Sequence, residues 1–199
     1  GCSVNPATGE QTFTGFMTPD RERQKGAEEH PKMVEAFGGK YQDAALTGYL
    51  NGLGELLQST SEQPKPPFTF TLLDSPVINA FALPGGYVYV SRGLMALAND
   101  EAELAGVVAH EIGHVTARHS AQRMSRGILA SLGAAVLGAA VGEPLLGNAA
   151  RVAVGAYIQG FSRDQEFEAD QLGVRYLTRA GFDPMAMASF LDAMGEEHK

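Results

Sequence analysis

His110-Glu111-Ile112-Gly113-His114 spells H-E-x-x-H inside a stretch, Asn99 to about Met124, that reads as helix. At about 100° per residue, positions i and i+4 lie about 40° apart, so His110 and His114 project side by side and can share one Zn²⁺. Glu111 lies on the flank of that face, where it can take a proton from a metal-bound water. A catalytic zinc needs three protein ligands and one open position, so a third donor must lie elsewhere. The metzincin arrangement would need a glycine at position 117 and a histidine at position 120, where this chain has Ala117 and Ser120. His119 is one residue off and, on a continuous helix, nearly opposite His110; it is expected as an exposed partner of nearby charges and not as a ligand. The other arrangement is a glutamate on a separate helix followed four residues later by aspartate, and Glu166-Phe167-Glu168-Ala169-Asp170 provides it. Glu166 and Asp170 share a helix face, so Glu166 can reach the metal while Asp170 accepts the spare ring N–H of a ligating histidine. Glu168 points elsewhere. Ligand type alone leaves metals other than zinc open.

The elements that must position these residues are legible around them. Asn99 or Asp100 supplies an N-cap, Glu101 and Glu103 suit a first turn, and Leu104, Val107, Val108 and Ile112 make a buried face of helical period. A second helix over Asp164 to Thr178 ends at Gly181, and Pro184 opens the final helix. Upstream, Phe68 to Leu73, Val77 to Ala82 and Tyr87 to Val90 are short runs rich in β-branched and aromatic residues. Asp-Ser-Pro and Pro-Gly-Gly turns separate them, which predicts a small antiparallel sheet. Glu28 to Leu57 reads as one or two helices, with His30-Pro31 at a helix N-terminus and Pro64 to Pro67 as a stiff entry into the sheet.

Three motifs in order, Asn79 to Val90 (N-A-F-A-L-P-G-G-Y-V-Y-V), H-E-I-G-H and Ser162 to Asp170 (S-R-D-Q-E-F-E-A-D), resemble the HtpX-like and CaaX-protease-related gluzincin metalloendopeptidases, metallopeptidase family forty-eight. The resemblance covers roughly Pro67 to Phe190. It implies an α+β zincin-like fold, mostly helical, with the small sheet over the active-site helix. It also implies His110, His114 and Glu166 as zinc ligands, Glu111 as general base and acid, and Asp170 behind the ligands. The segment Asn79-Ala80-Phe81-Ala82 would be an edge strand that pairs with extended protein or peptide substrate, main chain to main chain. Asn79 and Ala80 are the expected substrate contacts. In that family a His-Pro motif with a following arginine, beyond the third ligand, helps to stabilise the oxyanion. This chain has none there, so a C-terminally truncated domain is expected, and a zinc-binding, chaperone-like module with weak or blocked proteolysis stands as the alternative.

Composition narrows the rest. Fifteen basic against 23 acidic residues leave a formal charge of −8, which disfavours nucleic acid or an anionic membrane surface as partner. Gly52-x-Gly54 lacks the third glycine of a phosphate-cradling loop and lies in a helical stretch. Gly127 to Gly142 is apolar but shorter than the ~20 residues of a transmembrane helix, and Glu143-Pro144 stops it. It reads as a buried or capping helix. Together with Ala149 to Ile158 it connects the two metal-binding helices and is a candidate flap over the cleft. Cys2 is the only cysteine, so no intrachain disulfide forms. Gly1-Cys2-Ser3 before a polar segment resembles the start of a processed bacterial lipoprotein; the other reading is an ordinary exposed thiol. The expected organisation is a tether over residues 1–25 and a zinc metallopeptidase domain over 26–199. The expected location is the periplasm or cell envelope, with lipid on Cys2 as the anchor and no transmembrane helix.

Overall fold

The computed structural model describes residues 2–65, 68–141 and 160–197. Its elements run β1 (Cys2–Val4), β2 (Gln11–Phe13), α1 (Pro19–Ala36), α2 (Ala44–Ser59), β3 (Thr69–Leu73), β4 (Ala80–Leu83), β5 (Tyr87–Ser91), α3 (Arg92–Leu97), α4 (Glu101–Thr116), α5 (His119–Val141), α6 (Arg163–Ala180) and α7 (Met185–Glu197). The described residues are mostly helical, with two small sheets. The apolar run from Gly127 continues α5 to Val141; the rest of that run and the expected flap over 149–158 lie outside the described residues.

The sheet differs from the all-antiparallel expectation. Its order is β3-β5-β4, with β4 antiparallel to β5 but β3 parallel to it. The reason lies in residues 74–79, which are more than a turn. They step over the C-terminal end of β5 and deliver the chain to its far side. Ser91 anchors that crossing: its N–H donates to the Asn79 carbonyl at 3.0 Å, and its hydroxyl accepts from Asn79 N at 3.1 Å and from Leu94 N at 3.0 Å. Gly93 is required there, because a Cβ would lie 2.1 Å from the Pro76 carbonyl oxygen. The Pro-Gly-Gly turn behaves as expected, with Gly85 and Gly86 at φ 84° and 90°, values that only glycine adopts without cost. β4 is left as an outer strand.

Both faces of β5 are covered, which is why Tyr87 to Ser91 is buried almost throughout. Val88 and Val90 join the main core with Leu50, Leu53 and Leu57 of α2, Val108 and Ile112 of α4, and Leu172 and Tyr176 of α6. Tyr89 faces the other way, onto Leu73, Leu83 and the Met33, Val34 and Phe37 side chains of α1. Helix α1 starts at an N-cap, Thr18, with Pro19 in its first turn, and runs through Pro31. Pro31 is thus interior, not the start of a helix as expected. The carbonyl of Ala27, which loses its partner there, lies on an exposed stretch where water can serve it. His30, one residue earlier, ties α1 to the sheet through a 2.7 Å hydrogen bond between Nδ1 and the Tyr89 hydroxyl.

The first 25 residues, expected as a tether, carry the β1–β2 hairpin and the start of α1. Asn5 is buried, and its side-chain amide donates to Glu168 of α6 at 2.6 Å. Polar side chains of this segment thus bridge it to the core helices.

Candidate metal centre

Helix α4 begins where its sequence says it should. Asp100 is the N-cap, its carboxylate accepting from Glu103 N at 2.9 Å, and Glu101 and Glu103 sit in the first turn. Glu103 is itself buried, accepting from Asn99 and from the Ser189 hydroxyl of α7. Nearly every later residue of α4 is covered, so the helix carrying H-E-x-x-H runs through the core. It stops at Thr116, well short of Met124. Arg118 adopts φ 58° and the chain turns into α5. For a residue with a Cβ this costs roughly 1–2 kcal/mol, and three hydrogen bonds hold it: to Glu22, at 3.1 Å, to the Ser3 hydroxyl, at 2.9 Å, and to the Met17 carbonyl, at 2.7 Å.

Helix α6 opens with a capping box between Ser162 and Gln165 and closes at Gly181 in the left-handed region. That start sets the register of Glu166 and Asp170. The two helices come close enough for their side chains to meet because glycines line the contact. A Cβ on Gly113 would lie 2.9 Å from the Ala169 carbonyl oxygen, and one on Gly173 would lie 3.1 Å from the His110 backbone nitrogen. Gly113→Ala is therefore expected to push α4 from α6 and to destabilise by about 1–3 kcal/mol, lowering Tm by roughly 3–10 °C in a thermal melt.

His110 Nε2, His114 Nε2 and a Glu166 carboxylate oxygen converge, all within 4.8 Å of one another. The separations are 2.9 Å between the two nitrogens, 3.3 Å from His110 to Glu166 and 3.7 Å from His114 to Glu166. Tetrahedral bonds of about 2.0–2.1 Å to one zinc would place ligand atoms roughly 3.3 Å apart, so the set fits that ion. The remaining polar contacts agree. His110 Nδ1 lies 2.8 Å from Asp170 Oδ1 and gives its proton there, which turns the Nε2 lone pair inward. His114 Nδ1 is likewise engaged, by His119 at 2.9 Å. Two inward lone pairs 2.9 Å apart repel unless a cation or proton lies between them.

The charges are strongly coupled. Burial opposes the protonated form of His110, but hydrogen bonds to Asp170 and Glu166 and the charge of Glu111 outweigh it and hold its pKa up, at about 10. Burial drives His114 down to about 4, and hydrogen bonds from His110 and His114 hold Glu166 far below the usual carboxylate range. Glu111 is buried, and that burial pushes its pKa up to about 7, against the charge of His110.

A carboxyl that is more basic folded (about 7) than unfolded (4.5) favours folding at low pH, and the contribution is lost as pH rises through 7. In excess chelator, Glu111→Gln is thus expected to match the parent near pH 5 and to exceed its stability by roughly 1–3 kcal/mol at pH 8, measured by denaturant unfolding.

These residues line one cleft of about 300 Å³, bounded by Asn79 and Ala80, Gly106 and Val107, His110 and Glu111, Glu166 and Asp170, and Met187 and Leu191. Every residue singled out from the sequence is brought there except His114, whose side chain is covered. It is covered by residues that the sequence reading missed. Phe161 stacks on the His114 ring with centroids 4.0 Å apart, and the Arg123 guanidinium lies 4.4 Å from the centre of the Phe161 ring. His119, expected to be exposed, is fully buried, contacting His114 on one side and Glu168 on the other. The expectation assumed a continuous helix; the turn at Arg118 swings His119 back. No glycine or asparagine marks that turn, so composition carried no signal for it.

Comparison with known proteins gives the family. The profile of peptidase family M48 matches residues 44–198. A beta-barrel assembly-enhancing protease of Escherichia coli is 39% identical over 163 residues, covering 76% of this chain and 33% of that protein. Its Yersinia pestis counterpart is 37% identical over 168 residues, covering 79% and 34%. The mitochondrial metalloendopeptidase OMA1 of Arabidopsis thaliana is 32% identical over 126 residues, covering 63% and 25%. The chain thus spans about a third of the length of the bacterial relatives it matches. With a family profile covering most of its length and ligand-type side chains converging from the helices that carry its motifs, the chain belongs to peptidase family M48.

Proposed function

We propose that this chain is a zinc-dependent metalloendopeptidase of zincin-like fold that cleaves extended or misfolded proteins of the cell envelope. The observation that carries this reading is the convergence of His110, His114 and Glu166 beside a buried glutamate, Glu111, at the wall of an open cleft that His110, Glu111 and Glu166 line. Zinc held by those three would supply Lewis acidity for attack of water on a peptide carbonyl. The chain's own contribution is proton handling and orientation. Glu111, made more basic by burial, takes the proton from the attacking water and returns it to the departing amine. Asp170 keeps His110 in the tautomer that a ligand needs.

Substrate is held as a strand. Asn79 and Ala80 border the cleft at the start of β4, an outer strand of its sheet; the main chain of Asn79 is taken by Ser91, so in this reading an extended peptide pairs with the outward-facing main chain of the strand from Ala80 on. Unfolded chains offer such segments more often than folded proteins do, which favours unfolded clients. The bacterial relatives are named for β-barrel assembly, which supports clients in the envelope. No helix among the described residues is long and apolar enough to cross a membrane, and lipid attached at Cys2 is the anchor in this reading.

The test is metal content by elemental analysis together with cleavage of casein and of a stably folded protein. One zinc per chain, with casein cut and the folded protein spared, is the expected result. Zinc without hydrolysis would favour the chaperone-like alternative, and no zinc would overturn the site.

A further inference from the structure

Behind His114, away from the cleft, lies a largely buried polar chain, open to solvent only at Glu168, that metal binding alone does not account for. His114 Nδ1 is 2.9 Å from His119 Nδ1, His119 Nε2 is 3.1 Å from Glu168 Oε2, and Glu168 Oε1 accepts from the Asn5 side-chain amide at 2.6 Å. Two ring nitrogens at that distance share one proton, so one must donate and the other accept. His114 turns Nε2 toward His110 and Glu166, so as a ligand it carries its proton on Nδ1 and donates to His119. His119 must then carry its own proton on Nε2 and donate to Glu168. Every proton points the same way and the series ends on a carboxylate, which Asn5 caps. His110 reaches its carboxylate, Asp170, directly; His114 reaches one through an intervening imidazole.

We propose that His119 is a positioning residue which, oriented by Glu168 and Asn5, fixes the ring and tautomer of His114 for the metal. This rests on His114 being a ligand. The fold is arranged around the contact. The turn at Arg118 brings His119 back onto His114, and the same hairpin that supplies Asn5 supplies Ser3, one of the groups holding Arg118 in place. Phe161 closes the other side of the His114 ring, leaving it one orientation. The N-terminal hairpin is thereby part of the support of the metal centre.

The test compares His119→Phe, which keeps a ring but has no acceptor, with His119→Asn, whose amide oxygen falls near the Nδ1 position. Zn²⁺ affinity is read by chelator competition, geometry by the visible spectrum of the Co²⁺ form, and turnover by kcat and KM on casein. His119→Phe is expected to weaken zinc binding about 10–100-fold and to shift the Co²⁺ bands, with kcat falling more than KM rises, and His119→Asn to recover most of the affinity. A folded His119→Phe with zinc affinity within about twofold of the parent would overturn the proposal, as would equal losses in both variants, which would mark a packing role. Should His119→Phe fail to fold, Glu168→Gln decides: weakened zinc binding supports the proposal and an unchanged affinity and Co²⁺ spectrum overturns it. A parent chain that takes no zinc would sink the metal reading itself, an outcome distinct from a zinc-loaded parent indifferent to His119.

Discussion

Glu111→Gln is expected to leave the chain folded and zinc-loaded while lowering kcat on casein by about 10²–10⁴-fold with KM little changed. The side chain is not among the three converging ligand atoms, so zinc content should match the parent. The substitution keeps the size of the side chain in a buried position, which avoids a cavity. It removes the ability to accept a proton, which burial of the carboxyl strengthens. Activity in the zinc-loaded variant within about tenfold of the parent would move the base elsewhere.

Glu166→Gln should fail in a different way, by losing the metal. Its carboxylate lies 3.3 Å and 3.7 Å from the two histidine nitrogens and carries the negative charge that offsets a dication. Loss of a partner behind a ligand costs roughly 10–100-fold in metal affinity, so loss of a ligand should exceed that, and Asp170→Asn should fall within it. Thermal melts give a second readout. Zinc at about 100 times its dissociation constant stabilises the parent by about 2.7 kcal/mol, raising Tm by several degrees. In Glu166→Gln the same zinc concentration should leave Tm unmoved. An unchanged zinc-dependent Tm would place the third ligand outside Glu166.

The helices that bear the site were legible because their caps and periods are local. Asp100 with Glu101 and Glu103 starts α4, and Ser162 with Gln165 starts α6; each works through atoms three or four residues away. The i, i+4 spacing of His110 and His114, and of Glu166 and Asp170, is equally local. The sheet shows the limit. Residues 68–90 announced three strands, but whether β3 lies parallel or antiparallel to β5 depends on which side residues 74–79 cross, and that is decided by the Ser91 and Gly93 contacts with Asn79, Ser75 and Pro76. Propensity has nothing to say about sidedness.

His119 draws the line most sharply. From the chain alone came the H-E-x-x-H helix, the second helix with its glutamate and aspartate, the short strands beside them, and through these the peptidase family. Each of those depends on neighbours within a turn or two, so the residues themselves determine it. Where α4 ends, and so whether His119 faces solvent or His114, was decided by Glu22, Ser3 and Met17 gripping Arg118 from about 100 residues away. A left-handed arginine is unfavourable by itself and exists only because those distant groups hydrogen-bond its guanidinium. That contact forms only once the N-terminal hairpin, α1 and the core helices are assembled together.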